Sequence, residues 1–118
     1  MMNETTMKLQ EDLVHALLDK RALNVLSMDV SEMTPVSDCF IIASGNSDVH
    51  MRALMNAVTK CLDDHDQDYK IEGAMSTQWI LIDAGTFVVH IFSIKAREFY
   101  KIERVWEEAP TQHYEDEE

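Results

Sequence analysis

The run Asp38-Cys39-Phe40-Ile41-Ile42-Ala43-Ser44 constrains this chain most. It is apolar at successive positions, without the alternation of a strand that has one wet face. That pattern predicts a central strand covered on both sides, hence a sheet with helices packed against it. Gly45-Asn46-Ser47-Asp48 follows at once, with Gly45 suited to a tight turn and Asn46 or Ser47 to a helix cap. Met51, Leu54, Met55, Val58, Cys61 and Leu62 then recur at helical spacing.

The same reading gives the rest of the order. Leu9, Leu13, Ala16 and Leu17 mark a helix over 6–21, and 24–30 reads as a short strand. Thr34-Pro35 marks a connection, and 70–73 a short edge strand. Two strands, 78–83 and 86–92, flank a Gly85 turn, and a last helix covers 96–107 with Phe99, Ile102 and Trp106 on one side. The expected class is α/β (α+β): a mixed five-stranded sheet in the order α-β-β-α-β-β-β-α. The stretch from Ser44 to Lys70 allows a helical crossover, making the strand at 38–44 and its successor parallel, and the final pair is an antiparallel hairpin. One domain over 1–110 and a disordered acidic tail over 111–118 complete the expectation.

The chain has 118 residues, with 22 acids against 10 bases and a net charge of −12. Residues 107–118 hold six of the acids and no Lys or Arg, leaving the body at −6. Autonomous binding to DNA or RNA backbone is disfavoured, whereas a basic protein would be attracted. No run approaches a membrane span and no signal peptide opens the sequence, so cytoplasm is the expected compartment. Cys39 and Cys61 read as buried free thiols.

Catalytic signals are sparse. The Gly45–Asp48 turn resembles the Gly-Ser turn of nucleotidyltransferases, where helix-start N–H groups hold a phosphate. The paired strand carboxylates that would hold magnesium are missing, since Asp83 ends a strand alone. His90 has no metal ligand at suitable spacing, so neither metal nor cofactor is expected. A Cys39–His90 pair on central strands is conceivable, but neither residue carries a local nucleophile signature. Alternation puts Trp79, Leu81 and Asp83 on one face of their strand and Ile80 and Ile82 on the other. The Ile face suits a core. The Trp79 face is either a second core layer or an interface. On the last helix Phe99 and Ile102 are expected in the core, and Arg97, Tyr100 and Glu103 on an exposed face.

Val30-Ser31, Ser37 through Asp48, Glu72-Gly73, Trp79 through Asp83, Gly85, Val88 through Phe92 and Arg97 through Trp106 together resemble the two signatures of the Iojap family, the bacterial ribosomal silencing factors. The likeness spans 8–106 and leaves out the tail from Thr111. It implies a catalytically inactive nucleotidyltransferase-like core and no enzymatic activity. It implies binding to the large ribosomal subunit at its protein numbered fourteen, which obstructs joining of the small subunit and represses translation under nutrient limitation. Organellar relatives assist large-subunit assembly, and several members are homodimers when free. Carried onto this chain, the resemblance assigns partner contact to Trp79, Leu81 and Asp83, with Arg97 and Tyr100 from the helix and Asn46 and Ser47 at the border. Asp83 would pair with a Lys or Arg. The alternative is a nucleotide-binding or nucleotidyltransferase-like enzyme that uses the Gly45–Asp48 turn.

Overall fold

The computed structural model describes residues 4–114. Its elements run α1 (Glu4–Asp19), β1 (Leu23–Asp29), β2 (Cys39–Gly45), α2 (Asp48–Asp64), β3 (Lys70–Glu72), β4 (Trp79–Asp83), β5 (Phe87–Ser93), α3 (Ile94–Tyr100), α4 (Ile102–Val105) and β6 (Thr111–Tyr114). One sheet carries the strands in the order β3-β4-β5-β2-β1-β6.

β2 lies inside the sheet, and every one of its residues is buried, as its unbroken apolar run requires. Cys39, Ile41 and Ala43 face a cluster built with α1 and α2, into which β4 and β5 send Ile80, Ile82, Phe87, Val89 and Ile91. Phe40 and Ile42 point the other way, into a second cluster with Leu26, Met28, Val88, Phe92 and Ala96, edged by Ile102 and Trp106. Gly45 is needed where α2 meets the strand: a Cβ there would stand 3.1 Å from the Met51 backbone nitrogen.

Three expectations are corrected. The parallel partner of β2 is β5 and not its successor in sequence, so the crossover includes β3 and β4 as well as α2. The last helix is two helices, because Lys101 adopts a left-handed conformation with φ 47°. The sheet has six strands, not five. Pro110 does not end the order: its carbonyl accepts from Asp29 N at 2.8 Å, and Thr111–Tyr114 then pair antiparallel with β1. A proline is tolerated at the mouth of an edge strand, where its missing N–H faces away from the ladder. Residues 115–118, the rest of the expected tail, lie outside the described residues.

Candidate functional site: an uncovered aromatic face

Alternation along β4 divides its side chains as the period demands. Ile80 and Ile82 are buried, while Trp79, Leu81 and Asp83 are half-buried on the opposite face. Trp79 lies against Phe92, with ring centroids 4.9 Å apart, and against Tyr100 at 5.1 Å. Its Nε1–H donates to His90 Nδ1 at 3.1 Å. Since Nδ1 accepts, the imidazole proton sits on Nε2, which is buried without a hydrogen-bond partner among the described residues. His90 is 3% exposed and meets Phe40 edge-on at 5.0 Å. Burial in this apolar setting pushes its pKa down to about 4.

The helix side was legible only in part. Tyr100 is exposed, as expected. Phe99 is not in the core: it is 79% exposed, with Tyr100 edge-on at 5.1 Å. Arg97 is not on an exposed face either. It is 9% exposed, and its Nε donates to Glu103 Oε2 at 3.0 Å while Nη1 donates to Ser44 Oγ at 3.2 Å. In one continuous helix, residues six apart point about 120° away from each other. The left-handed turn at Lys101 brings Arg97 and Glu103 together, and the same turn leaves Phe99 outside. No signal in the sequence marks that break, because lysine has no preference for the left-handed region.

α3 packs chiefly on β5 and β2, and Tyr100 at its end lies against Trp79 of β4. Trp79, Leu81 and Tyr100 therefore form one apolar ledge, extended by Phe99. Asp83 stands apart at the other end of β4, about 13 Å along the strand from Trp79. Its Oδ1 accepts from Gly85 N at 2.9 Å, closing the hairpin turn in which Gly85 has φ 78°. Asn46 and Ser47 follow the end of β2, where Gly45 is in register with Ser93, and β5 separates that position from β4.

The Gly45–Asp48 turn satisfies itself. Ser47 Oγ caps α2 by accepting from His50 N at 3.0 Å, and Asn46 N donates to His50 Nδ1 at 2.9 Å. The other ring nitrogen of His50 lies 2.7 Å from Lys20 O. Two of the N–H groups at this turn, those of Asn46 and His50, are thus engaged by the protein. Cys39 and His90 do not meet: they face opposite clusters, and burial pushes the Cys39 thiol up to about 12. Among the described residues no group of three or more His, Cys, Asp or Glu is placed to hold a metal ion. No helix among them is long and apolar enough to cross a membrane. A cavity of about 690 Å³ lies beside α3 and α4, over Leu26 and Ser44. Its charges alternate in sign, with Lys101 and Arg104 near Glu98 and Glu107, so it favours neither anion nor cation.

The family model described as "Ribosomal silencing factor during starvation" matches residues 3–118. The chain belongs to this family. The match includes the C-terminal segment that the signature likeness left out. A ribosomal silencing factor of Bacillus subtilis is 37% identical over 93 residues, covering 78% of this chain and 79% of the relative. A mouse protein named for mitochondrial assembly of the ribosomal large subunit is 30% identical, over 80% of this chain and 43% of that longer protein. A crystal structure of a Chromobacterium violaceum protein superposes with TM-score 0.83 at 31% identity, covering 86% of this chain and 85% of the other.

Proposed function

We propose that this chain silences translation by docking on the large ribosomal subunit, at its protein fourteen, and standing where the small subunit must join. It acts by occupancy and catalyses nothing. The observation that carries this reading is the ledge of Trp79, Leu81, Phe99 and Tyr100: large apolar side chains, half-buried or exposed, at the β4 side of the sheet face beyond the main packing of α3, in a chain of net charge −12. Aromatic anchors with a polar rim are what a protein-binding surface offers. The acidic balance suits the basic proteins of a ribosome. The family description supports starvation as the occasion, and cytoplasm is the compartment this role requires. Free copies would cover the same ledge by pairing with each other.

The test is co-sedimentation with separated ribosomal subunits, alongside a subunit-joining assay. Trp79→Ala should cost about 2 kcal/mol or more of binding. Trp79 also holds His90 and Phe92, so Phe99→Ala is the cleaner variant: its exposed ring leaves without disturbing the core. Binding to the large subunit alone, weakened by Phe99→Ala with unchanged thermal stability and accompanied by more joined ribosomes, is the expected result. Full retention of binding and of joining inhibition in both variants would move the contact elsewhere. A second reading, assistance in large-subunit assembly, is favoured by the name of the mouse relative. It predicts immature large subunits accumulating in a deletion strain under rich nutrition.

A further inference from the structure

We infer that Glu72, and not Asp83, is the carboxylate that pairs with a basic side chain of the partner protein on this face. The inference rests on the docking reading above and adds to it the residue that sets charge specificity.

β3 is three residues long, and its alternation is informative. Ile71 packs against the α1/α2 cluster, so Lys70 and Glu72 are turned to the side of the sheet that carries Trp79 and Leu81. Both are exposed. In the antiparallel register Glu72 stands opposite Leu81, and Lys70 stands opposite Asp83. Directly opposed side chains begin about 5 Å apart and diagonal ones about 7 Å. Glu72 therefore borders Leu81 directly and both Trp79 and Asp83 diagonally.

The two carboxylates differ in what already engages them. Asp83 closes the hairpin turn through Gly85 N and faces a lysine across the ladder. One of its two oxygens is therefore engaged within the chain. The Glu72 side chain makes no hydrogen bond or ion pair among the described residues. Its place is nevertheless fixed. Gly73 takes φ 71°, Gly73 O accepts from Ser76 N at 2.8 Å, and Ser76 Oγ receives Trp79 N at 3.1 Å. That short turn ties Glu72 to Trp79 and holds an unanswered negative charge at the rim of the apolar ledge. A basic protein surface with a Lys or Arg beside an apolar patch is the complement; a phosphate backbone would be repelled.

The test measures affinity for purified large ribosomal subunits across a salt series, comparing wild type with Glu72→Gln, Glu72→Lys and Asp83→Asn. Asparagine keeps the oxygen that closes the turn and removes only the charge. Glu72→Gln should weaken binding about three- to tenfold at low salt, with the gap narrowing as salt rises. Glu72→Lys should weaken it further, and Asp83→Asn should stay within about twofold of wild type. Melting temperatures of the Glu72 variants should match wild type, because the side chain is exposed and unpartnered. Wild-type affinity in Glu72→Gln at every salt concentration overturns the assignment and leaves the docking reading standing. A larger loss in Asp83→Asn than in Glu72→Gln also overturns it. Tighter binding by Glu72→Lys would assign the face to ribosomal RNA and overturn it in another way. No binding by the wild-type chain overturns the docking reading and this assignment together.

Discussion

His90 should make the fold sensitive to mild acid, by an amount that follows from its surroundings. The ring is enclosed by Trp79, Phe40 and Phe92 and stays neutral in the folded chain, with its pKa lowered from 6.5 to about 4 by burial. Unfolded chains take up a proton below pH 6.5 that the native chain refuses. The stability this group contributes is therefore fully present above that value and is lost as pH falls toward 4. The full difference is about 3.4 kcal/mol at 1.36 kcal/mol per pKa unit, and about 2 kcal/mol of it is gone by about pH 5. His90→Asn isolates the effect: the amide oxygen can receive the Trp79 Nε1–H in place of Nδ1, and nothing titrates. Urea unfolding, followed by tryptophan emission at about pH 7.5 and pH 5, gives the two free energies. Wild type should lose about 2 kcal/mol more than His90→Asn over that interval, because carboxylate contributions are common to both chains. Equal losses in the two chains would refute the claim that His90 is held neutral by burial.

The remaining predictions concern the supports of the same face. Gly73→Ala places a Cβ 2.7 Å from Trp79 O at a backbone φ of 71°. It should cost about 1–3 kcal/mol in chemical unfolding and shift the Trp79 emission, whereas Gly85→Ala, with open space around its Cβ, should cost only the left-handed penalty of about 1 kcal/mol. Arg97→Met strands the Glu103 carboxylate, whose Oε1 already lacks a partner among the described residues. Because Glu103 retains some solvent contact, the loss should be about 2–3 kcal/mol, below that of a fully enclosed pair. The double variant with Glu103→Leu should recover part of it, and equal stability of single and double variants would show that the stranded charge is not the cause.

The central strands were legible because each carries a local signature. β2 is apolar at every step and β4 alternates, so burial on two faces and on one followed directly. That period grouped Trp79, Leu81 and Asp83 on one face, and it left open whether the face was core or interface. The parallel pairing of β2 with β5 was not legible, since nothing local distinguishes β5 from β3 as the destination of a crossover. β6 escaped notice because Thr111, Gln112 and His113 are exposed and only Tyr114 packs, with its hydroxyl 3.1 Å from Ser27 Oγ. An edge strand with one anchoring side chain leaves no period to read. Asn46 and Ser47 were correctly placed at a helix start, with Ser47 as the cap. Phe99 and Arg97 were assigned in exchange for one another, and a single cause accounts for both.

That cause is the turn at Lys101. A straight helix over 94–106 would align Phe99 with Ile102 and Trp106 and carry all three into the core. The observed break costs about 1–2 kcal/mol at a non-glycine residue. It is offset by a contact that spans the turn: Arg97 meets Glu103, while the same buried guanidinium reaches Ser44 and the Leu23 carbonyl. Ile102 and Trp106 still edge the Phe40 cluster, while Phe99 is released to the surface beside Tyr100. Two sets of residues follow from this arrangement. Arg97, Glu103, Gly73 and the Ser76 hydroxyl hold the face in shape, and their substitution should lower stability and binding together. Phe99, Leu81 and Glu72 are what the face presents, and trimming Phe99 or Glu72 should lower binding alone. Trp79 belongs to both sets, because it closes His90 from within and meets solvent from without. A loss of binding in a Trp79 variant therefore identifies a contact only when the Phe99 variant shows the same loss with the fold intact.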